Sequence, residues 1–281
     1  MIAVRIEGRL GNQLFQYAFI YAAAKRLNTS FYVDKGIEKY LLSSYFKVEN
    51  DFLYPLDKYI FSISGFKNIF NHHLRRLVYS IVNWVILQKE PLIITSEETV
   101  FEALKRVEDK KLYHGFFQSE EYFKSYKEDI RNLFSVKKNH QDAFQSVYNK
   151  LGIVGKTVVV HVRRGDYVGL GIALNTAYYH KAIAEVGSES NHYIFISDDT
   201  QFVESEFAYV KNKYVSTNSE IIDFQFLLHA NTCILSASSF SWWGAYLNTN
   251  NPKVIVPQYW LGRDKQVEYP NGTIQNNWLK L

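Results

Sequence analysis

The run Thr157-Val-Val-Val-His-Val-Arg-Arg-Gly-Asp-Tyr167 decides the fold of this chain. Thr157 to Val160 are β-branched in unbroken succession, the pattern of a strand covered on both faces. The run then stops at His161, Arg163, Arg164 and Asp166. A buried parallel strand ending in two arginines delivers them at its carboxyl edge, where open α/β sheets take their ligands. Arginine suits phosphate there, because its planar fork donates two parallel hydrogen bonds and stays charged. Gly165 frees the backbone to turn. Asp166 has two candidate tasks, anchoring a guanidinium or accepting a proton. A purely structural Arg–Asp pair beside a turn fits the spacing equally well.

Strand and helix signals alternate downstream. Helices are expected at 177–186, 220–230 and 239–247, and strands at 193–196, 213–215, 232–235 and 253–256. Repeated units of this kind predict a parallel sheet with helices on both faces. Polar residues gather at the same strand ends. Asp198 and Asp199 suit a divalent metal beneath a diphosphate, or a cap complementing a helix dipole, and the cap is the favoured reading. Asp223, early in an apolar helix, suits either the N–H groups of a guanine or the helix start itself. Ser236, Ser238, Ser239 and Ser241 lie between a strand and a helix, the place for phosphate contacts or for ordinary capping.

Upstream, Ile2-Ala-Val-Arg-Ile6 reads as a short strand, Gly8 and Gly11 punctuate the turn after it, and an alanine-rich helix is expected over 14–27. The helix start of such a βα unit can face an anion, although the spacing is neither the dinucleotide fingerprint nor a P-loop. Gly8 and Gly11 serve equally well as turn residues, with Asn12 as the N-cap. Further strands are expected at 31–33 and 112–117, a helix at 120–134, and a helix at 142–151 that closes the first half. Residues 66–89 place Leu77, Val78, Ile81, Val82, Val85 and Ile86 at helical spacing behind His72, His73, Arg75 and Arg76. Such a helix either lies on an anionic membrane surface or packs within the first domain with its basic end in water; the packed reading is favoured.

With 281 residues the chain is long enough for two cores of ordinary domain size. Its 47% hydrophobic content, 14 glycines and 5 prolines mark a globular protein and argue against disorder. The 21 tyrosines and 20 phenylalanines suit sugar stacking as well as core filling. Cys233 is the one cysteine, so no internal disulfide forms, and its apolar neighbours favour a core residue over a nucleophile; a reducing compartment fits. A net charge of +4, without zinc-ligand spacing or a nucleic-acid motif, sets nucleic acid aside. The apolar stretch 77–87 is about half a membrane span, and the first strand leaves no room for a targeting segment.

Four segments together resemble the α-1,2-fucosyltransferases, the eleventh glycosyltransferase family. They are Gly8-Arg-Leu-Gly-Asn-Gln-Leu-Phe-Gln-Tyr-Ala18, His161-Val-Arg-Arg-Gly-Asp166, Ser197-Asp-Asp199 and Ser238-Ser-Phe-Ser-Trp-Trp-Gly-Ala245. Gly115-Phe-Phe-Gln-Ser-Glu120 is similar to the family's central segment, and Arg9 stands where the family usually has a second glycine. The resemblance implies an α/β fold of GT-B type: two facing Rossmann-like domains with parallel sheets, 1–152 on the acceptor side and 153–281 for the donor. It implies inverting transfer of L-fucose from GDP-β-L-fucose to the 2-hydroxyl of a β-galactoside, with no metal and no cofactor. By motif position, Arg163 is the diphosphate ligand, and His161 and Asp223 lie near guanine or ribose. Ser238 and Ser239 contact phosphate, and Asn12 meets the fucose–diphosphate link, with Gly8, Gly11, Arg164 and Asp198 completing the donor site. Asp166 and Glu7 are the candidate bases. The implied partners are a nucleotide sugar and a galactoside glycan, in a bacterial-type cytoplasmic enzyme with peripheral membrane contact as an open question. Two rivals stand beside this reading: a GT-B transferase with another GDP-sugar or acceptor, and a nucleotide-sensing protein without turnover.

Overall fold

The computed structural model describes residues 1–35, 39–48, 51–53, 69–87, 90–187 and 191–281, with the backbone alone for 69–72 and 75. Much of the stretch 35–65 lies outside the described residues, as do 66–68, 88–89 and the side chains of His72 and Arg75. Contacts divide the chain into two compact units, Met1–Val136 and Lys137–Leu281.

In the first unit, β1 (Ile2–Arg5), β2 (Phe31–Asp34), β3 (Leu92–Ile93) and β4 (Leu112–His114) form a parallel sheet in the order β2-β1-β4-β3. The helix Leu10–Leu27 connects β1 to β2, and every residue from Gln13 to Ala24 is buried. That burial explains the alanines, which let a helix covered all round lie close to its neighbours. It begins one turn earlier than the sequence predicts, with Arg9 as N-cap, so Asn12 sits inside the first turn and does not cap it. It ends at Asn28, whose φ of 48° is the left-handed conformation that asparagine tolerates. The expected helix 120–134 breaks into turns at Glu120–Tyr122 and Lys124–Tyr126 before the helix Lys127–Leu133. Tyr122 packs edge-on against Phe19 while its neighbour Phe123 meets Phe15, two contacts from adjacent residues that a tight turn supplies.

The second unit holds the central strand β5 (Lys156–Val162), with β6 (Asn191–Ser197), β7 (Lys213–Val215), β8 (Thr232–Ile234), β9 (Lys253–Val256) and β10 (Leu279–Lys280). All pairings are parallel, in the order β10-β9-β8-β5-β6-β7. Strand order therefore runs outward in opposite directions from β5 and β8, which makes their carboxyl ends the switch point where such sheets leave a crevice. The domain boundary expected at 152–153 falls earlier. The helix Lys138–Lys150 belongs to the second unit, because Phe144 packs on Phe226 and His229 with ring centroids 5.1 and 5.2 Å away. Cys233 is fully buried in β8, and burial pushes its thiol up to about 12, so it is a core residue. The helices Glu220–His229 and Ser239–Leu247 pack closely at Gly244, where a Cβ would lie 2.5 Å from that of Leu227.

Candidate active site

β5 carries its valines into the core and its polar end to the sheet edge. Val158, Val159, Val160 and Val162 are buried, and the chain leaves the strand at Arg163. The guanidinium of Arg163 is held from two sides. One Nη donates to Asp166 at 2.5 Å, the other lies 2.7 Å from an Asp198 oxygen, and the Tyr167 ring sits 5.3 Å away. At 15% exposure Arg163 is sheltered but reachable. A guanidinium has five N–H donors, so two carboxylates fix its plane and leave donors for a third anion.

Asp198 organises this corner. One of its oxygens accepts from the backbone N–H groups of Arg164 and Gly165, at 2.9 and 3.1 Å, and the other faces Arg163. Gly165 permits the approach, since a Cβ there would lie 2.5 Å from the Asp198 Oδ2. Gly165→Ala is therefore expected to displace that carboxylate at a cost of roughly 1–3 kcal/mol and to lower turnover by releasing Arg163. Urea denaturation and kcat, measured on the same preparation, check both effects. Asp199, not Asp198, is the helix cap, accepting from the Phe202 N–H. The cap reading thus holds for one member of the pair, while the other reaches the site through Arg163. Arg164 turns the opposite way: its Nε donates to Asp199 and its guanidinium lies 3.5 Å from the centre of the Phe202 ring. It braces the turn and points away from Arg163's partners. Asp166 is committed to Arg163, which favours anchoring over proton abstraction.

At the neighbouring strand end, His161 is buried and its Nδ1 lies 2.6 Å from the Ser236 hydroxyl beyond β8. Burial, then the Arg163 charge, drives the imidazole down to about 3, so it is neutral and hydrogen-bonds as donor or acceptor. Ser238 is the N-cap of the helix Ser239–Leu247, and its side chain makes no capping bond. A helix has no intrahelical acceptors for its first N–H groups, so the amides at Ser239 onward give this edge a donor cluster beside Arg163's strand. Asp223 is placed two strands from β5, where its carboxylate accepts from Ser216, just past β7, at 2.5 Å. Burial pushes Asp223 up to about 6 against the lowering effect of that hydrogen bond. Phe240 links the two places, lying 5.5 Å from the rings of both His161 and Phe224. The residues that the sequence reading left out are Ser216, which nothing in its local pattern marks, and Tyr167, which lies inside the arginine motif.

Gly8, Gly11 and Asn12 belong to the first unit. Gly8 has φ +75°, and a Cβ on it would strike the Asn12 amide. Asn12 accepts from Gln118 at 3.0 Å, and Gln16 donates to the Gly115 carbonyl at 3.0 Å. The glycine turn and the segment 115–120, distant in sequence, are thereby fastened together. Gln13 bonds the carbonyls of Gly8 and Lys39, so it shapes the loop from inside.

In the second of the two parallel α/β units, charged groups and a helix start converge on one switch point, the arrangement in which an open α/β sheet takes an anionic ligand. The profile of Glycosyl transferase family 11 matches residues 1–281, and the chain belongs to that family. It is 27% identical to the alpha-1,2-colitosyltransferase of Escherichia coli, covering 94% of each chain. It is 26% identical to the O-antigen biosynthesis glycosyltransferase WbnK of Escherichia coli, over 98% of this chain and 99% of that one. Among solved structures it is similar to the NodZ alpha-1,6-fucosyltransferase co-crystallised with GDP, at TM-score 0.53 and 14% identity, covering 91% of this chain and 94% of the other. NodZ is a fucosyltransferase of Bradyrhizobium, and at this identity the likeness concerns the fold. Among the described residues no helix is long and apolar enough to cross a membrane.

Proposed function

We propose that the protein transfers L-fucose from GDP-β-L-fucose to the 2-hydroxyl of a β-galactoside, with inversion and without a metal, in the cytoplasm. The observation that carries this reading is Arg163, fixed between Asp166 and Asp198 at the switch point of the second unit. Breaking the bond between fucose and diphosphate puts negative charge on the β-phosphate and oxocarbenium character on the sugar. Fixed donors stabilise such charge most where they need not reorganise. Arg163 and the amides opening the helix Ser239–Leu247 are those donors, with Ser238 and Ser239 against phosphate. The neutral His161 and the buried carboxylate of Asp223 take the guanosine. Asn12 keeps the part that the family resemblance assigns it, contact with the bond that breaks, and Gly8 and Gly11 remain donor-site residues. Asp198 and Asp166 are positioning residues for Arg163, and Arg164 supports the turn.

The test is incubation with GDP-fucose and a panel of β-galactosides, with and without EDTA, and the product linkage read by NMR. An α-1,2-fucosylated product formed equally well with chelator is expected; transfer to another hydroxyl, or activity lost with EDTA, refutes the reading. A second reading has a specific support, the colitosyltransferase relative. Colitose is L-fucose without its 3-hydroxyl, so one site could select either sugar through a single hydrogen bond. The ratio of kcat/KM for GDP-fucose and GDP-colitose decides between them, since a site built to bond a hydroxyl discriminates strongly against its absence.

A further inference from the structure

The helix Ile69–Ile86 carries apolar residues on two faces, and the first unit uses one of them. Tyr79 is buried, Val82 and Ile86 pack with it against Ala3, Tyr32 and Leu112, and Asn83 accepts from Tyr32 at 2.5 Å. On the other side Leu77, Ile81, Trp84 and Val85 are 57, 52, 82 and 58% exposed. Their spacing of four, seven and eight residues from Leu77 draws one continuous stripe along the helix. The contrast with the rest of the chain is sharp: Trp242, Trp243, Trp260 and Trp278 are all 8% exposed or less. His73 stands one turn before Leu77, Arg76 flanks the stripe, both are exposed, and the helix contains no Asp or Glu.

We propose that this face docks on the surface of an anionic lipid bilayer. A helix with an apolar stripe, a basic end and no acidic residue meets both requirements of interfacial binding, apolar area to bury and positive charge facing the headgroups. Trp84 suits the boundary itself, with an apolar ring to sink and an indole N–H to leave at headgroup depth. Spanning is excluded for this helix by its own polarity. A second copy of the chain is the poorer occupant: in a two-fold contact the patch meets itself, and this helix offers Arg76 no carboxylate. The proposal is independent of which sugar or acceptor the protein uses.

The experiment is co-sedimentation of the full chain with phosphatidylglycerol–phosphatidylcholine vesicles and with phosphatidylcholine alone, alongside tryptophan quenching by lipids brominated in the acyl chain. Binding is expected to favour the anionic vesicles, and quenching to disappear in Trp84→Phe, because the other four indoles are buried. Arg76→Ala should weaken binding to anionic vesicles about fivefold. The double variant Ile81→Ser, Trp84→Ser should lose about tenfold or more with turnover on a water-soluble acceptor unchanged. Absence of quenching at every lipid concentration would overturn the proposal. So would undiminished vesicle binding by the double variant, or a dimer in sedimentation velocity that the double variant converts to monomer.

Discussion

Arg163→Lys is expected to lower kcat by about two to three decades, nearly as much as Arg163→Ala. Removing one fixed donor from a charge-stabilising site typically costs roughly 2.7–4 kcal/mol in the transition state, and lysine does not restore it. The guanidinium is planar, with one nitrogen for Asp166, another for Asp198, and further N–H groups for a third anion. An ammonium at the end of a flexible stem presents a single centre. Between two carboxylates it settles on them and presents no oriented pair of donors to a diphosphate. Arg164→Lys supplies the internal control. Arg164 is tied to Asp199 and stacked on Phe202, so its replacement should affect stability more than turnover. Steady-state kinetics with GDP-fucose, together with calorimetric titration of GDP, separates the two. An Arg163→Lys enzyme within a few-fold of wild type would remove the diphosphate role.

Asp223→Asn should exchange the base that the protein prefers. Guanine offers two adjacent donors, its ring N–H and its amino group, and an ionised carboxylate accepts both. Asparagine accepts one and opposes the other, a loss of one hydrogen bond to a charged group worth roughly 1.5–3 kcal/mol, or about 10- to 150-fold in GDP affinity. Xanthine has a carbonyl in place of that amino group, so the variant should bind xanthosine diphosphate better than GDP. Titrations of both nucleotides check this, and an unchanged preference for GDP would place the base elsewhere. The same carboxyl sets a pH dependence. Its folded-state value is raised to about 6, mainly by burial. The native state therefore holds this proton more tightly than the unfolded chain. The stabilisation is fully present below the ordinary carboxylate range and is lost as pH rises through about 6, a change of about 3 kcal/mol. Asp223→Asn should flatten that part of the stability profile. GDP affinity runs the opposite way, falling as pH drops below about 6, because the protonated acid cannot accept from both guanine donors.

What was legible in the sequence followed from local pattern. Continuous β-branched runs and regular helical spacing marked the second-unit elements, and 213–215, 239–247 and 253–256 lie where the sequence reading put them. The arginines at the end of β5 were visible because a polar cluster interrupts an apolar strand. Their division of labour was not. Arg163 and Arg164 are neighbours of the same type, and only the positions of Asp198, Asp199 and Phe202 send one toward the site and the other away. The unit boundary escapes local pattern for a similar reason: Phe144 gains its partners Phe226 and His229 from far along the chain. The two-residue strands β3 and β10 carry too few residues for any alternation to register. At residues 69–86 the packed-helix reading fits the face that carries Tyr79, Val82 and Ile86, while Leu77, Ile81, Trp84 and Val85 on the other side are exposed.

A crystal structure of the protein with bound GDP is the decisive measurement of whether the guanidinium at position 163 neutralises the departing nucleotide. The β-phosphate is expected within hydrogen-bond distance of the Arg163 guanidinium and of the amides that open the helix Ser239–Leu247. A diphosphate bound elsewhere, with Arg163 still engaged only by Asp166 and Asp198, would refute that role.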